Sequence, residues 1–286
     1  MGPKVAFFGA GLMGSGFVTA LRRRGVDVAV WNRTAAKAQP LAALGARVVN
    51  DPAEAADGAA RAHLSLSDDA AVDAVLDRIA AALPAGAPIV DHTTVSPTGT
   101  AARSIRLARA GRRFLHAPVF MGPAQAEAAQ GLMLCSGPSD LYQSLATELW
   151  AMTGEVWYMG EEPSRAAAFK LFGNAMIVTI AAGLADVYAM ASAQGILPED
   201  AHGLFAKLPV AKQIEFRGGK MAHGDFSPTF ELAMARKDVR LMLEAAGPAA
   251  LAVLPPIAAR MDALLHAGHG KEDLGILAVD AVRRRH

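Results

Sequence analysis

The sequence offers little for disulfide chemistry or for attracting large charged partners. Its 286 residues include one cysteine, Cys135, which excludes an internal disulfide and is expected to be a small buried apolar side chain in a reducing compartment. The formal net charge is only +1, so no overall field would draw the protein to nucleic acid or an anionic membrane. We therefore expect no nucleic-acid and no membrane partner.

Signals for metal binding and membrane insertion are equally weak. The histidines show no metal-ligand spacing together with cysteine or acids, so no metal is expected, and His266 with His269 is interpreted as a surface turn. The longest apolar helical stretch, Ala175 to Ala193, is interrupted by Asp186 and has few large residues. No signal peptide is recognisable at the start. The expectation is a cytoplasmic protein.

What the chain does have is a patterned opening. An apolar run, Val5 to Phe8, leads into Gly9-Ala10-Gly11-Leu12-Met13-Gly14, a helix-compatible stretch follows, and a second apolar run covers Val28 to Trp31. In such a strand–turn–helix–strand unit, spaced glycines permit the tight turn, the approach of a pyrophosphate and close helix packing. The free N–H groups of the helix start would bind the phosphates. The pattern predicts dinucleotide binding; the alternative is a tight turn that binds nothing.

The end of the second strand indicates which dinucleotide would bind. An acidic residue there would accept hydrogen bonds from a ribose 2′-hydroxyl, as in NAD sites. This chain has Asn32-Arg33-Thr34 instead, and Asp27 precedes the strand. Because a guanidinium suits a 2′-phosphate, NADP (NADPH) is predicted in preference to NAD.

The rest of the chain divides into two patterns. Short apolar strands alternate with alanine-rich helical stretches up to a last strand at Glu155 to Met159, which predicts an α/β fold with a doubly wound parallel sheet. From Pro163 onward, long helical segments dominate, the first from Ser164 to Gln194. At 52% hydrophobic residues the chain can bury two cores. We predict a dinucleotide-binding domain over 1–162 and an all-helical C-terminal domain over 163–286.

Two later segments could carry chemistry. Thr93, Thr94 and Ser96 follow a strand at the sheet edge where ligands bind, although they could equally be a helix-start cluster with Pro97 as the first helical residue. Lys170 and Asn174 are four residues apart, on one face of a helix. A partly desolvated lysine could exchange a proton with a substrate. By spacing alone, an ordinary solvated lysine is the favoured interpretation.

Taken in order, the motifs are similar to those of the β-hydroxyacid dehydrogenase family, within the 6-phosphogluconate dehydrogenase superfamily. This family includes 3-hydroxyisobutyrate dehydrogenase and the glyoxylate/succinic semialdehyde reductases. The resemblance spans essentially the whole chain. It rests on Gly9 to Gly14, Asn32 to Thr34, Asp91 to Pro97, Ala117 to Val119, Lys170 with Asn174, Lys237-Asp238, and Gly268 to Asp273.

The resemblance implies a Rossmann domain followed by a helical domain, and a homodimer or homotetramer built through the helical domain. It implies that Lys170 is the catalytic acid/base, that Asn174 orients the substrate, and that Thr94 and Lys237 line the cofactor site. Hydride would pass between NADPH and a small carbonyl or hydroxy compound. The predicted cofactor residues are Gly9, Gly11, Leu12, Met13, Gly14, Asn32, Arg33, Thr34, Thr94 and Lys237; the predicted substrate residues are Thr94, Phe120, Met121, Gly122 and Asn174.

Some positions depart from the family pattern. Phe120 and Met121 stand where a Ser-Gly pair usually holds the substrate carboxylate, which favours a bulkier or less charged carbonyl, or an imine. Gly173 stands where a first Asn is usual. An imine reductase and a non-catalytic NADP-binding protein are the alternative functions. Retention of Lys170 argues against both.

Overall fold

The first strand is apolar at every position because both of its faces are covered. In the computed structural model, which describes residues 3–282, all four residues of Val5–Phe8 are buried. Successive strand side chains point to opposite faces, and Ala6 and Phe8 accordingly pack into one hydrophobic cluster while Phe7 packs into another. A core on each face explains why this strand shows no alternation of polar and apolar residues.

Six parallel strands form the main sheet, in the order β3-β2-β1-β4-β5-β6. The chain therefore winds outward in one direction from β1 and then in the other from β4, which confirms the predicted doubly wound parallel sheet. The strands are β1 (Val5–Phe8), β2 (Val28–Trp31), β3 (Arg47–Val49), β4 (Arg61–Leu64), β5 (Ile89–Asp91) and β6 (Phe114–His116).

The last strands belong to a separate, smaller sheet. This sheet comprises β7 (Val119–Phe120), β8 (Gly131–Cys135) and β9 (Gly154–Tyr158), with β7 antiparallel and β9 parallel to β8. The sequence did not predict β7, because two residues are too few to show a strand pattern. Cys135 is fully buried on β8, as expected, and burial raises the pKa of its thiol to about 12.

Helices cover the main sheet and account for the rest of the chain. They are α1 (Leu12–Arg23), α2 (Ala35–Ala38), α3 (Pro52–Ala56), α4 (Asp69–Ile79), α5 (Pro97–Arg109), α6 (Pro123–Glu127), α7 (Ser139–Thr153), α8 (Arg165–Ala193), α9 (Pro198–Gly203), α10 (Ala211–Ala222), α11 (Leu232–Ala246), α12 (Leu254–His266) and α13 (Val279–Val282). Between Pro163 and Val282, β-pairing is limited to one isolated bridge from Glu231 to Asp273. The helical C-terminal region is therefore confirmed.

The described chain divides into two compact units within α8, one ending at Asn174 and the other starting at Ala175. The predicted boundary at 162/163 was placed where the strand pattern ends. The start of α8 joins the first unit because Ala166 packs with Leu134 and Met159. The second unit has its own hydrophobic core, built on residues such as Leu232 and Met261.

Two aspartates organise the helical unit. Asp186, which interrupts the apolar run of α8, accepts hydrogen bonds from the backbone N–H groups of Ala252, Val253 and Leu254 and so caps the start of α12. Burial raises the pKa of Asp186, but these three donors outweigh it and hold the pKa below its usual value. Asp273 accepts in the same way from Thr229, Phe230 and Gly275.

Helix α8 is unusually apolar on its outside. Among the described residues, it is the one helix long and apolar enough to cross a membrane, with a mean hydropathy of 1.6 over its most apolar stretch. Phe172, Ile177 and Val178 are 62%, 57% and 67% exposed in the single chain. The absence of a membrane partner, which we inferred from the net charge and from the interruption of this stretch by Asp186, stays a prediction.

Candidate active site

The glycine turn after β1 has two positions where only glycine fits. Gly9 has a φ of +105°, and a Cβ there would lie 2.1 Å from the carbonyl oxygen of Ser65. A Cβ on Gly14 would lie 2.0 Å from the carbonyl oxygen of Gly9. At Gly11, by contrast, a Cβ meets no protein atom within 4 Å. Packing therefore demands the outer two glycines, whereas the middle one leaves open space suited to the approach of a pyrophosphate.

Helix α1 begins at this open space. Gly11 is its N-cap, and the first turn contains no acidic residue. The N–H groups of a first helical turn lack intrahelical acceptors and carry the positive end of the helix dipole. Leu12 and Met13 thus present donors where a diphosphate would be stabilised.

A first cavity of about 370 Å³, here called the cationic cavity, opens on one side of the turn. Three cationic side chains reach it from different elements: Arg33 after β2, Lys37 on α2 and Arg78 on α4. The guanidinium carbon of Arg78 lies 5.4 Å from the centre of the Trp31 ring. The cavity is lined by Gly9, Gly11, Trp31, Asn32, Arg33, Thr34, Lys37, Ser65, Leu66, Ser67, Ala71, Ala74, Val75 and Arg78.

Asn32 braces the turn as well as lining this cavity. Its Oδ1 accepts a hydrogen bond from the backbone N–H of Ala10 at 2.9 Å, and its Nδ2 donates to the carbonyl oxygen of Thr34 at 2.8 Å. An aspartate at position 32 would have no N–H group to donate to the carbonyl oxygen of Thr34. Asn32 therefore fixes the end of β2 against the glycine turn and leaves Arg33 exposed toward the cavity.

A second cavity of about 360 Å³, here called the Lys170 cavity, lies on the other side of the turn. It shares Gly11, Ser65, Leu66 and Ser67 with the cationic cavity. Both cavities thus meet at the carboxyl ends of the adjacent strands β1 and β4, where the winding direction of the sheet reverses and open α/β sheets bind ligands. The Lys170 cavity is lined by Gly11, Leu12, Met13, Gly14, Phe17, Ser65, Leu66, Ser67, His92, Thr93, Thr94, Val119, Met121 and Lys170.

Sequence reasoning did not identify Lys37, Arg78 or the segment Ser65 to Ser67. Ser65 to Ser67 follows β4, so its position after a strand next to β1 was the available signal. Lys37 follows Arg33 by one helical turn's spacing. Arg78 carried no local signal, because only the packing of α4 brings it near β2.

The threonine segment forms a helix start, and its role in ligand binding stays a prediction. Ser96 caps α5 by accepting a hydrogen bond from the N–H of Gly99 at 3.0 Å, and Pro97 is the first helical residue. Thr93 is buried, and its hydroxyl accepts from the N–H of Leu66. Thr94 is exposed and lines the Lys170 cavity. Of the cluster, Thr94 is thus the residue available to a ligand.

Lys170 is half-buried and reaches the cavity from the first unit's part of α8. Burial lowers the pKa of its ammonium. Its Nζ lies 4.0 Å from the centre of the Phe120 ring, and no carboxylate oxygen of residues 3–282 forms an ion pair with it. Among residues 3–282, Lys170 is the one Lys, Arg, Asp or Glu side chain in the lining of this cavity. The ammonium is therefore held by an aromatic face and remains available for proton transfer.

The other predicted substrate residues are placed unequally. Met121 lines the Lys170 cavity, whereas the N–H of Gly122 donates to Oε1 of Gln125 at 2.7 Å and caps α6. Asn174 lies one turn after Lys170 and is not part of the described cavity lining. Lys237 lies on α11 in the second unit, where its Nζ pairs with Asp238 at 2.9 Å. The roles of Asn174 and Lys237 stay predictions.

Behind the cavity wall lies a chain of buried hydrogen bonds. Arg61 donates through Nε to Nε2 of His63 at 3.1 Å, His63 Nδ1 lies 2.9 Å from Nε2 of His92, and His92 Nδ1 lies 2.7 Å from the carbonyl oxygen of Ala117. Since Arg61 donates, each neutral ring accepts at Nε2 and donates at Nδ1. Burial is the main cause that lowers the pKa of His92 to about 4. Both rings are therefore neutral at physiological pH.

The fold and the paired cavities define a dinucleotide-binding protein of the doubly wound α/β class. The model of the NAD binding domain of 6-phosphogluconate dehydrogenase matches residues 4–160. Glyoxylate/succinic semialdehyde reductase 2 of Arabidopsis thaliana chloroplasts is 30% identical over 243 residues, covering 84% of this chain and 68% of the relative. The chain belongs to the β-hydroxyacid dehydrogenase family of NAD(P)-dependent oxidoreductases.

Other similar proteins show how widely this architecture occurs. The cytokine-like nuclear factor N-PAC of Homo sapiens is 32% identical over 249 residues; the match covers 84% of this chain and 44% of the relative, so the chain spans less than half of that relative's length. The imine reductase from Myxococcus stipitatus in complex with NADP+ superposes with a TM-score of 0.89 at 22% identity, covering 97% of this chain and 99% of that one. Its V8 variant was solved with NAD+ and covers 98% of this chain and 99% of its own, with a TM-score of 0.89 at 21% identity. At such identity the likeness shows the fold.

Proposed function

We propose that the protein is an NADPH-dependent reductase of the β-hydroxyacid dehydrogenase type, which acts on a small carbonyl compound with Lys170 as its proton donor. The observation that carries the proposal is the position of the Lys170 ammonium, the single charged side chain lining a cavity that adjoins the glycine turn. A dinucleotide bound on that turn would place its nicotinamide ring and the Lys170 ammonium at the same cavity.

Bound NADPH supplies the hydride that adds to the carbonyl carbon. The protein's part is to place the substrate and to move the proton. Lys170 Nζ would donate a proton to the carbonyl oxygen as that oxygen takes up the electron pair of the C=O π bond, and the neutral amine would then be reprotonated from solvent. In the oxidative direction the neutral amine accepts the hydroxyl proton. Because burial lowers the pKa of Lys170, its ammonium is a stronger acid than that of a solvated lysine, and a larger fraction of the side chain is in the neutral form that the oxidative direction needs.

The preference for NADPH rests on the cationic cavity. Arg33, Lys37 and Arg78 bring three positive charges to the side of the turn that would receive the ribose of the adenosine. Asp51 pairs with Arg78 at 3.3 Å, but both side chains are about half-exposed, so this ion pair is weak. A 2′-phosphate would gain charge-assisted hydrogen bonds here that a 2′-hydroxyl could not.

The substrate is proposed to be a carbonyl compound with little charge. Apolar residues, among them Leu12, Met13, Val119 and Met121, form much of the lining of the Lys170 cavity, and no arginine is present to hold a carboxylate. The N–H of Gly122 is already occupied by Gln125. These features agree with the prediction of a bulkier or less charged substrate that we made from Phe120 and Met121. They also favour imine reduction as a second candidate.

We further propose that the protein is a homodimer or homotetramer in the cytoplasm. The exposed apolar residues of α8, such as Phe172, Ile177 and Val178, would be covered by a second copy of the helical region. Size-exclusion chromatography with light scattering would test the oligomeric state, and a monomer at micromolar concentration would contradict a homodimer or homotetramer.

The first experiment is a turnover panel with NADPH and with NADH. Glyoxylate, succinic semialdehyde, tartronate semialdehyde, uncharged aldehydes and cyclic imines would be compared for the wild-type protein and for Lys170→Ala. NADPH-linked turnover of aldehydes that disappears in Lys170→Ala is the expected result. Turnover confined to imines would favour the second candidate. If NADPH binds but no compound of the panel is turned over, both candidate reactions would be contradicted and a binding protein would be indicated.

A further inference from the structure

Two departures from the family pattern, far apart in sequence, occupy the same place in the structure. The family resemblance implies a serine at position 120 and an asparagine at position 173, where this chain has Phe120 and Gly173. A Cβ built on Gly173 would lie 2.3 Å from Cζ and 2.7 Å from Cε1 of the Phe120 ring. These distances are far below any tolerable contact. The ring therefore fills the space that a side chain at position 173 would need.

The same ring contacts the proposed proton donor. Lys170 and Gly173 are three residues apart on α8, hence on one face of the helix. The Lys170 Nζ lies 4.0 Å from the ring centre, a distance at which an ammonium is attracted to an aromatic face. Phe120 thus touches Gly173 with its edge and Lys170 with its face.

The surroundings of the Phe120 ring restrict it on one side. Phe120 is on β7, paired with Leu132 of β8, and its side chain packs in a cluster with Leu134 and Phe169. The backbone of Phe120 is therefore held by the small sheet. A side chain at position 173 could be accommodated only by rotating the ring out of its place, which would break the contact with Lys170.

We propose that Phe120 is a positioning residue for the Lys170 ammonium, and that it can act as one only because residue 173 is glycine. The inference rests on the proposed function, in which Lys170 donates the proton. In this arrangement an aromatic face holds the ammonium in place of a polar side chain. Positions 120 and 173 thus place no hydrogen-bonding side chain beside the ammonium, which adds to the proposed selectivity against charged substrates.

A double-mutant cycle tests the dependence of Phe120 on Gly173. We expect Gly173→Ala to lower kcat about 10- to 100-fold, because displacing the ring misplaces the reacting group. Phe120→Ser should lower kcat about tenfold by removing the cation–π contact. In the Phe120→Ser background, Gly173→Ala should then change kcat less than about twofold, since no ring is left to displace.

A second measurement separates positioning from a general loss of structure. Phe120→Leu keeps apolar bulk beside Lys170 but removes the aromatic face, which favours the charged ammonium. The pKa of Lys170 in the pH profile of kcat should therefore fall, so that reductive activity is lost at a lower pH than in the wild type. NADPH affinity and the melting temperature should stay near wild-type values. Gly219→Ala, in helix α10 where an added Cβ meets no atom within 4 Å, is the matched control.

The outcomes separate this inference from the proposed function. Equal losses from Gly173→Ala in both backgrounds, or no loss in either, would overturn the pairing of Phe120 with Gly173. An unchanged pH profile in Phe120→Leu would overturn the positioning role. If Lys170→Ala itself retained full turnover, the proposed function would fail first, whatever the cycle showed.

Discussion

The two cavities beside the glycine turn are nearly equal in size, about 370 and 360 Å³, and opposite in character. The cationic cavity gathers Arg33, Lys37 and Arg78 at exposed positions. The Lys170 cavity has one half-buried ammonium against an aromatic ring. Several solvated charges recognise an anion and leave it unchanged, whereas a single desolvated charge has a shifted pKa and can exchange its proton. The contrast supports our proposal that one cavity binds the cofactor's phosphate and that the other carries out the chemistry.

Removing the Lys170 ammonium should have the largest effect, because it takes the proton donor out of the Lys170 cavity. We expect Lys170→Ala to lower kcat by about two to four orders of magnitude, the loss typical of a general acid, while NADPH affinity changes little. Stopped-flow turnover and NADPH fluorescence titration would measure the two effects. Lys212→Ala, an exposed lysine on α10, serves as the control. Turnover within threefold of wild type would remove Lys170 from the mechanism.

The folded protein should lose stability in acid because of the buried histidines at the wall of the Lys170 cavity. An unfolded histidine has a pKa near 6.5, and that of folded His92 is about 4. Between these values the unfolded state binds more protons, so the free energy of unfolding should fall as the pH drops from 6.5 to 4, by on the order of 3 kcal/mol for His92. Burial lowers the pKa of His63 as well, which acts in the same direction.

Urea denaturation at pH values from 7 to 4 would measure this loss. The charged and titratable neighbours of His63 and His92 are Arg61, Asp91 and His116. In His92→Gln, the decline over this pH range should be shallower than in wild type. An identical decline in both proteins would show that His92 is not its source.

Removing charge from the cationic cavity should affect affinity and cofactor choice. We expect Arg33→Ala to weaken NADPH binding about 10- to 100-fold and NADH binding much less, because only NADPH loses a charge-assisted contact. Calorimetric titration of both cofactors would test this, with Arg109→Ala, an exposed arginine at the end of α5, as control. Equal weakening of the two cofactors would contradict the NADPH assignment.

The smallest effect concerns substrate choice. Phe120→Ser with Met121→Gly should raise the ratio of kcat/KM for succinic semialdehyde to that for butanal about three- to tenfold, even as overall turnover falls with the loss of the Phe120 ring. Smaller side chains leave room for a carboxylate beside the exposed Thr94. A constant ratio would show that this segment does not control substrate charge.

Local patterns predicted the parts of the site whose neighbours are near in sequence. Gly14 was predictable because the carbonyl that excludes a side chain there belongs to Gly9, and Gly9 because its φ of +105° is a local property of the turn. Arg78 was not, because the packing of a distant helix brings it to β2. Likewise Asp186 was identified as a break in an apolar helix, and its function as the cap of α12 depends on residues more than sixty positions away.

By itself, the sequence determined the class of fold and the dinucleotide turn, since both depend on residues a few positions apart whose geometry follows from strand and helix periodicity. It also determined the family, through a series of short motifs in a fixed order along the chain. It also marked Phe120 and Gly173 as two separate departures. Only the tertiary structure decided that they are a single feature with Lys170. The reason is physical: whether a ring fills the space beside a glycine depends on how β7 packs against α8, and no local preference encodes that contact.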